Sequence, residues 1–281
     1  MERATTLIRA GALVAALALL APAVCGAQEQ QPPATPPASE GENLARQLSN
    51  PVANLVSIPF QMNWDQGVGP GDQTRFLLNV QPVMPFSVNK DWNLITRVIM
   101  PILSQPALAP GGSPAFGVSD VLMTAFVSPT RPGIIWGVGP ALSLPSTTQA
   151  TLGSGKWSAG PSVVVLNQVG RWTYGALWNQ TWSFAGDPAR DDVSVMFLQP
   201  FVSYTGANLV TVGVQSEASA NWKSPDHTWT VPIILTVSKL STFGMFPASY
   251  GVGAGVFVAK PEIGPSWRLR ATLTVLLPRR R

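Results

Sequence analysis

The sequence predicts an all-β chain, a transmembrane antiparallel β-barrel of about twelve strands, preceded by a cleavable signal peptide and a short linker. Three observations carry this. Charged residues make up 11% of the chain and hydrophobic residues 46%, whereas a soluble domain carries roughly 25% charged residues. Beyond the N-terminal leader, no apolar stretch reaches the roughly 20 residues a spanning helix needs. Several segments alternate apolar and polar side chains with a period of two. An exterior too apolar for water, without spanning helices, leaves the closed barrel, because only helices and barrels satisfy every backbone group in lipid.

The elements follow in order. Residues 1–27 read as a secretory signal: Arg3 and Arg9 precede the apolar run from Ala10 to Ala21, and Cys25, Gly26 and Ala27 give a small-residue exit. Residues 28–50 are a Pro/Gln-rich linker, with a helical turn or two over Asn43 to Leu48. Residues 51–281 are the barrel domain, with strands starting near 52, 73, 91, 116, 133, 156, 171, 192, 208, 227, 246 and 266. The clearest alternation places Trp267, Leu269, Ala271, Leu273, Val275 and Leu277 against Arg268, Arg270, Thr272 and Thr274. Similar phases run from Val210 to Trp222, from Arg75 to Met84 and from Trp172 to Phe184, whereas Val193 to Tyr204 has no readable faces.

Connections between these runs alternate in length. Those near Asn89, Pro129, Gln168, Gly206 and Leu240 are tight, and those from Asp65, Gln105, Pro145, Gly186, Lys223 and Lys260 are longer. Short turns on one side and longer loops on the other are the pattern of an outer-membrane barrel. Nine tryptophans (Trp64, Trp92, Trp136, Trp157, Trp172, Trp182, Trp222, Trp229 and Trp267) fall near strand ends, where amphipathic rings form girdles at the two water interfaces. Against this stand Pro82, Pro101, Pro140, Pro161, Pro200 and Pro232 inside strand candidates. Each removes a ladder hydrogen bond, so bulges or local irregularity are expected at several of them.

One stretch, Asn50-Pro51-Val52-Ala53-Asn54-Leu55-Val56-Ser57-Ile58-Pro59-Phe60-Gln61, resembles the opening of a bacterial family of outer-membrane transporters. Some members of that family carry the misleading label neuromedin U, and it is similar to the phenol-degradation meta-pathway barrels. Further matches follow in order at Asn79–Val83, Asp91–Ile95, Trp136–Pro140, Trp172–Ala176, Phe197–Phe201 and Val237–Leu240. The resemblance implies an outer-membrane location and a transport role, and supplies no catalytic residues. The chain departs from a common barrel ending, because Pro278 and three arginines replace a terminal aromatic.

Composition narrows the chemistry further. Loss of the leader removes the only cysteine, and with it disulfide and thiolate chemistry. Net charge is +4, but without the leader and the terminal Arg279, Arg280 and Arg281 the chain holds thirteen cations and thirteen anions. That leaves no basic stripe for nucleic acid. His227 is the only histidine, set in an outer loop near Ser224. A serine nucleophile needs an oriented base, so a lipid-modifying enzyme is the alternative that His227 would have to support. A non-conducting structural or adhesive barrel is the other. No cofactor or metal site is expected, because one histidine without cysteine supplies no usual transition-metal set. Asp187, Asp191 and Asp192 read as solvated loop charge.

The expected function is passage of small, apolar or aromatic solutes across the outer membrane, by a chain that is not an enzyme. Its pore-lining residues would be Arg75, Asn79, Gln81, Arg97, Asn179, Gln215, Glu217, Arg268 and Arg270, all on the polar phase of their strands. An arginine facing lipid near the midplane costs about 2–4 kcal/mol, so the arginines should point inward, pairing with carboxylates or forming an anion-attracting constriction. Expected partners are outer-membrane lipids and lipopolysaccharide, the solute and the barrel assembly machinery. Gly137, Gly139, Gly251, Gly253 and Gly255 share the strand period and either widen the lumen or allow close strand approach.

Overall fold

A computed structural model describes residues 39–224, 229–243 and 246–277. The leader (1–27), residues 28–38 of the linker, His227 and Arg279–Arg281 lie outside the described residues. The chain opens with helix α1 (Glu40–Gln47), followed by strands β1 (Val56–Val68), β2 (Gln73–Val80 and Val83–Ser87), β3 (Trp92–Gln105) and β4 (Ala115–Val118 and Val121–Pro129). Next come β5 (Ile135–Leu144), β6 (Lys156–Val169), β7 (Trp172–Gly186) and β8 (Ser194–Thr205). The last four are β9 (Val210–Ser216 and Ala218–Asn221), β10 (Trp229–Phe243), β11 (Phe246–Ala259) and β12 (Trp267–Leu277). Three strands are interrupted once, so fifteen ladder segments make twelve strands. Every neighbour pair is antiparallel, and β1 pairs with β12 from Val56↔Leu277 to Gln66↔Trp267, closing the sheet into a barrel.

Closure removes the sheet edge that lipid could not satisfy. The pleat then divides each strand into two faces. In β12, Arg268 and Arg270 are buried while Leu269, Leu273 and Leu277 are exposed; the same outward apolar phase holds Val252 and Val256 on β11 and Leu235 and Val237 on β10. At the loop end of the barrel Trp157, Trp182, Trp222, Trp229 and Trp267 are exposed, with Trp222 and Trp229 packed edge to face at 5.7 Å. At the turn end Trp92 meets Trp136 at 5.9 Å and Trp172 meets Tyr204 at 5.1 Å. Two aromatic belts around an apolar wall are the exterior of a membrane-spanning barrel.

The faces of β8, unreadable from sequence, are settled by its pairing with β7 and β9. Phe197 and Phe201 turn inward and pack against a lumenal core of Val52, Ile95, Phe126, Val164, Leu166 and Leu177. Both faces of β8 carry apolar residues because one meets lipid and the other brings Phe197 and Phe201 to this core.

The prolines act in three ways. Pro82 splits β2, and a register shift occurs at Val231/Pro232. Pro101 and Pro200 stay in register with β2 and β7, but each faces the interruption of its other neighbour, where pairing skips from Ile99/Leu122 to Ile102/Val118 and from Leu198/Ala218 to Phe201/Gln215. Pro140 and Pro161 face each other across β5 and β6, and the ladder lapses on both outer sides of the pair. Pairing skips from Thr124/Ala141 to Val127/Val138 on one side and from Ala159/Trp182 to Ser162/Asn179 on the other. The missing N–H groups therefore point to the flanking strands. Gly139 and Gly160 precede these prolines, and a Cβ at either would fall 1.7 Å from the Ala125 carbonyl oxygen or 1.9 Å from that of Gln180.

One connection differs from expectation. The segment from Asp65 was expected to be a longer loop, but β1 continues to Val68 and only 69–72 form the turn. Gly67, at φ +80°, absorbs a register shift between Asp65 and Val68, and Gly69, at φ +74°, opens the turn, so the ladder continues past the point where a loop was expected.

Helix α1 begins at Glu40 because Ser39 caps it. The Ser39 hydroxyl accepts from the Glu42 N–H at 3.2 Å, and the Glu42 carboxylate accepts from the Ser39 N–H at 2.9 Å. Leu44, Ala45 and Leu48 pack with Leu209, Leu240 and Leu276, holding the helix in the turn end of the barrel. Arg46 donates to the Gly170 carbonyl at 2.7 Å, Gln168 donates to the Arg46 carbonyl at 2.9 Å, and Arg171 pairs with Glu42 at 3.0 Å. Beyond the helix the chain enters the lumen, where Val52 joins the core.

Candidate functional site

The lumen is divided lengthwise. Beside β3–β8 lies the apolar core, and beside β12, β1, β2 and β9 lies a polar network. Register builds the network. Arg268 of β12 and Arg75 of β2 both stand opposite Asp65 of β1, and Arg270 stands opposite Asn63. Arg268 donates to Asp65 at 2.5 and 3.0 Å, and Arg75 donates to it at 2.7 and 3.2 Å. Asp65 is fully buried, so both guanidiniums compensate one desolvated carboxylate. The Phe257 ring covers Arg268 at 5.2 Å.

Glu217 enters from β9, at the one-residue break between its two segments, and β10 and β11 separate that strand from β12. Its side chain bridges this span inside the lumen. Arg270 grips it bidentately at 2.7 and 2.7 Å, Arg268 donates to it at 3.2 Å, and Gln215 and Gln61 donate at 2.8 and 3.3 Å. Arg270 also donates to Asn63 at 2.7 Å. The chain continues from Gln61 through Gln81, which donates to it at 2.6 Å, to Arg97, which donates to Gln81 at 2.5 Å.

Two cavities flank this network. One, of about 440 Å³, runs from α1 and Ala53 past Asn79, Gln81, Gln215, Glu217 and Arg270. The other, of about 320 Å³, runs towards the loop end past Leu177, Asn179, Thr181 and Val195 to Asp120 and Ser154. Arg97, Ile99 and Phe197 line both, so the cavities lie in series and meet at these three side chains.

The nine residues singled out from sequence thus fall into four groups. Asn79, Gln81, Gln215, Glu217 and Arg270 line the first cavity, Asn179 lines the second, and Arg97 lines both. Arg75 and Arg268 are held on Asp65 and line neither. Sequence reasoning missed Gln61, Asn63 and Asp65. Their signal was a period of two, Gln61-Met62-Asn63-Trp64-Asp65, hidden by the assignment of Asp65 to a loop. The glycines of β11 are crowded rather than open. A Cβ at Gly251, Gly253 or Gly255 would fall 2.6–2.8 Å from a β10 carbonyl oxygen, so they permit close strand approach.

The acidic loop residues are divided: Asp192 pairs with Lys156 at 3.5 Å, and Asp187 accepts from the Ala189 N–H at 2.9 Å. Among the described residues no group of acids, histidine or cysteine is arranged to hold a metal ion. The enzyme alternative turns on His227, which lies outside the described residues.

No family model matches the chain, and no curated protein matches it. Among solved structures it is similar to the COG4313 outer membrane channel from Pseudomonas putida F1, at 14% identity and a TM-score of 0.61, over 79% of this chain and 94% of that one. It also overlays on the outer membrane phospholipase A from Escherichia coli, at 9% identity and a TM-score of 0.47, over 84% and 97% of the two chains. At these identities the likeness is one of fold, and the fold is that of an outer-membrane β-barrel.

Proposed function

We propose that this barrel passes small solutes across the bacterial outer membrane. The observation that carries the reading is the pair of cavities in series, which meet at Arg97, Ile99 and Phe197 between the α1 end and the loop end. A twelve-stranded barrel is narrower than the 16–18-stranded porins that hold a wide aqueous channel. Here an apolar core occupies part of the lumen and α1 stands in the turn end, so passage is narrow and selective. Apolar walls at Leu177, Val195 and Phe197 favour solutes with an apolar body. The fold shared with a channel supports the same reading. Its partners are then outer-membrane lipids and lipopolysaccharide around the belt, the assembly machinery that inserts it, and the solute.

Efflux from liposomes carrying the folded chain tests this. Small solutes should leave faster than from empty liposomes, with a size cutoff below that of a wide porin. No efflux from demonstrably folded barrels, for polar and apolar probes alike, would overturn the reading.

A further inference from the structure

We infer that the junction of the two cavities is a binding site for a small organic monoanion, with its charged head on Arg97 and its apolar body in the cavity towards the loop end. This inference rests on the proposed passage role and names the class of solute that the same lumen selects. It starts from an inequality among the lumenal arginines. Arg75 and Arg268 hold Asp65, and Arg268 and Arg270 hold Glu217. Arg97 has no carboxylate within salt-bridge distance among the described residues. Its one hydrogen bond among them goes to the neutral amide oxygen of Gln81. Glu217 shares the first cavity, but its two oxygens already accept from Arg268, Arg270, Gln61 and Gln215.

The guanidinium therefore presents donors to the cavities with no carboxylate in contact, Glu217 acting on it only through space, and a fork of this kind matches a carboxylate or sulfonate. Backbone pairing holds it there, because Arg97 stands opposite Val83 of β2 and Thr124 of β4.

The surroundings determine what kind of anion fits. Next to Arg97 the second cavity offers Ile99, Leu122, Leu177, Val195 and Phe197, with Thr124 and Asn179 as the nearby polar groups. An inorganic anion would leave that apolar wall facing nothing suited to it. A monoanion with an aromatic or short aliphatic body covers it, and about 320 Å³ is at the small end of ligand cavities. The second cavity's other charged group is Asp120, four residues along β4 from Thr124 and so roughly 13 Å towards the loops. One of its oxygens accepts from the Ser154 N–H and hydroxyl at 2.6 Å. Its charge belongs to the loop end and would repel an anion from there towards Arg97.

The test uses the full mature chain, folded and checked by its heat-modifiable gel mobility, with three probes: benzenesulfonate, phenyltrimethylammonium and inorganic phosphate. Binding is read by equilibrium dialysis, and flux separately in liposomes. Benzenesulfonate should bind and slow the flux of other solutes, while phenyltrimethylammonium should do neither and phosphate should bind more weakly. Arg97→Gln should weaken benzenesulfonate binding at least about tenfold, and Arg97→Lys, which keeps the charge but not the fork, should lie between. If Arg97→Gln does not fold, Arg97→Lys and the three-probe comparison on the native chain decide. Equal binding of phosphate, no binding of benzenesulfonate, or binding that Arg97→Gln and Arg97→Lys leave unchanged overturns the site. Flux that persists in that case leaves the passage role standing, whereas binding without any flux removes the passage role and keeps the site.

Discussion

At the scale of single residues, Glu217 is the side chain on which the polar half of the lumen depends. It accepts from two arginines and two glutamines, and it reaches the arginines of β12 from β9, with two strands between. Arg270 is 4% exposed, so removing its carboxylate leaves a desolvated cation. Breaking a buried pair in this way costs about 3–5 kcal/mol. Glu217→Gln should therefore lower the unfolding free energy of the barrel by roughly that amount, measured by urea titration in lipid vesicles. The paired change Glu217→Gln with Arg270→Met should recover part of the loss, because no unpaired charge is left behind. The sequence revealed Glu217, Arg268 and Arg270 as polar positions on alternating strands. Their union was invisible, because it joins residues more than fifty positions apart across an enclosed space.

At the scale of elements, α1 is held by contacts that titrate. Glu42 caps Ser39 and pairs with Arg171. Its carboxyl is held below the ordinary 4.5, first by the Ser39 backbone N–H, against the opposing effect of desolvation that follows in size, and then by the Arg171 guanidinium. Arg171, in the turn between β6 and β7, is raised in turn, chiefly by its hydrogen bond to Tyr204 and also by Glu42. A carboxyl whose folded pKa lies below its unfolded one stabilises the folded state above the unfolded value. That stabilisation fades as the pH falls below about 4.5 and through the folded value. Amide protection over 40–47, taken relative to intrinsic exchange at each pH, should therefore fall between pH 5 and pH 3, and Glu42→Gln should show lower protection at pH 7 with little further change in acid. Unaltered protection across that range would show that the apolar anchors alone seat the helix. The helix was expected over Asn43 to Leu48 and starts three positions earlier, because the capping pattern Ser39-x-x-Glu42 sets its first turn.

At the scale of the whole molecule, the wall has one face for lipid and one for the lumen, and the same substitution has opposite consequences on the two. Val252 is 66% exposed and sits mid-strand in β11, opposite Val237 and Ala271. Val252→Arg should cost about 2–4 kcal/mol in a bilayer, measured as the shift in unfolding midpoint in vesicles. The cost should shrink for an arginine placed beside the aromatic belts, where the side chain reaches water. A uniform cost along the strand would contradict the belt positions. The opposed Pro140 and Pro161 are also a whole-molecule feature, because their ladder lapses fall between two strand pairs, β4–β5 and β6–β7, on either side.

The sequence by itself determined the strand number, the strand starts to within a few residues, and the two phases of the four most regular strands. These properties are local: a period of two, a turn signal and a scarcity of charge are each written in neighbouring residues. Only the tertiary structure decided which polar side chains meet. It showed that Asp65 belongs to a strand, that β8 carries apolar residues on both faces because Phe197 and Phe201 pack into the lumenal core, and that among the described residues Arg97 is the lumenal arginine with no carboxylate in contact. Those facts depend on closure, since bending twelve strands around one axis brings β9 within reach of β12 and β1, and no periodicity along the chain encodes distances across a lumen.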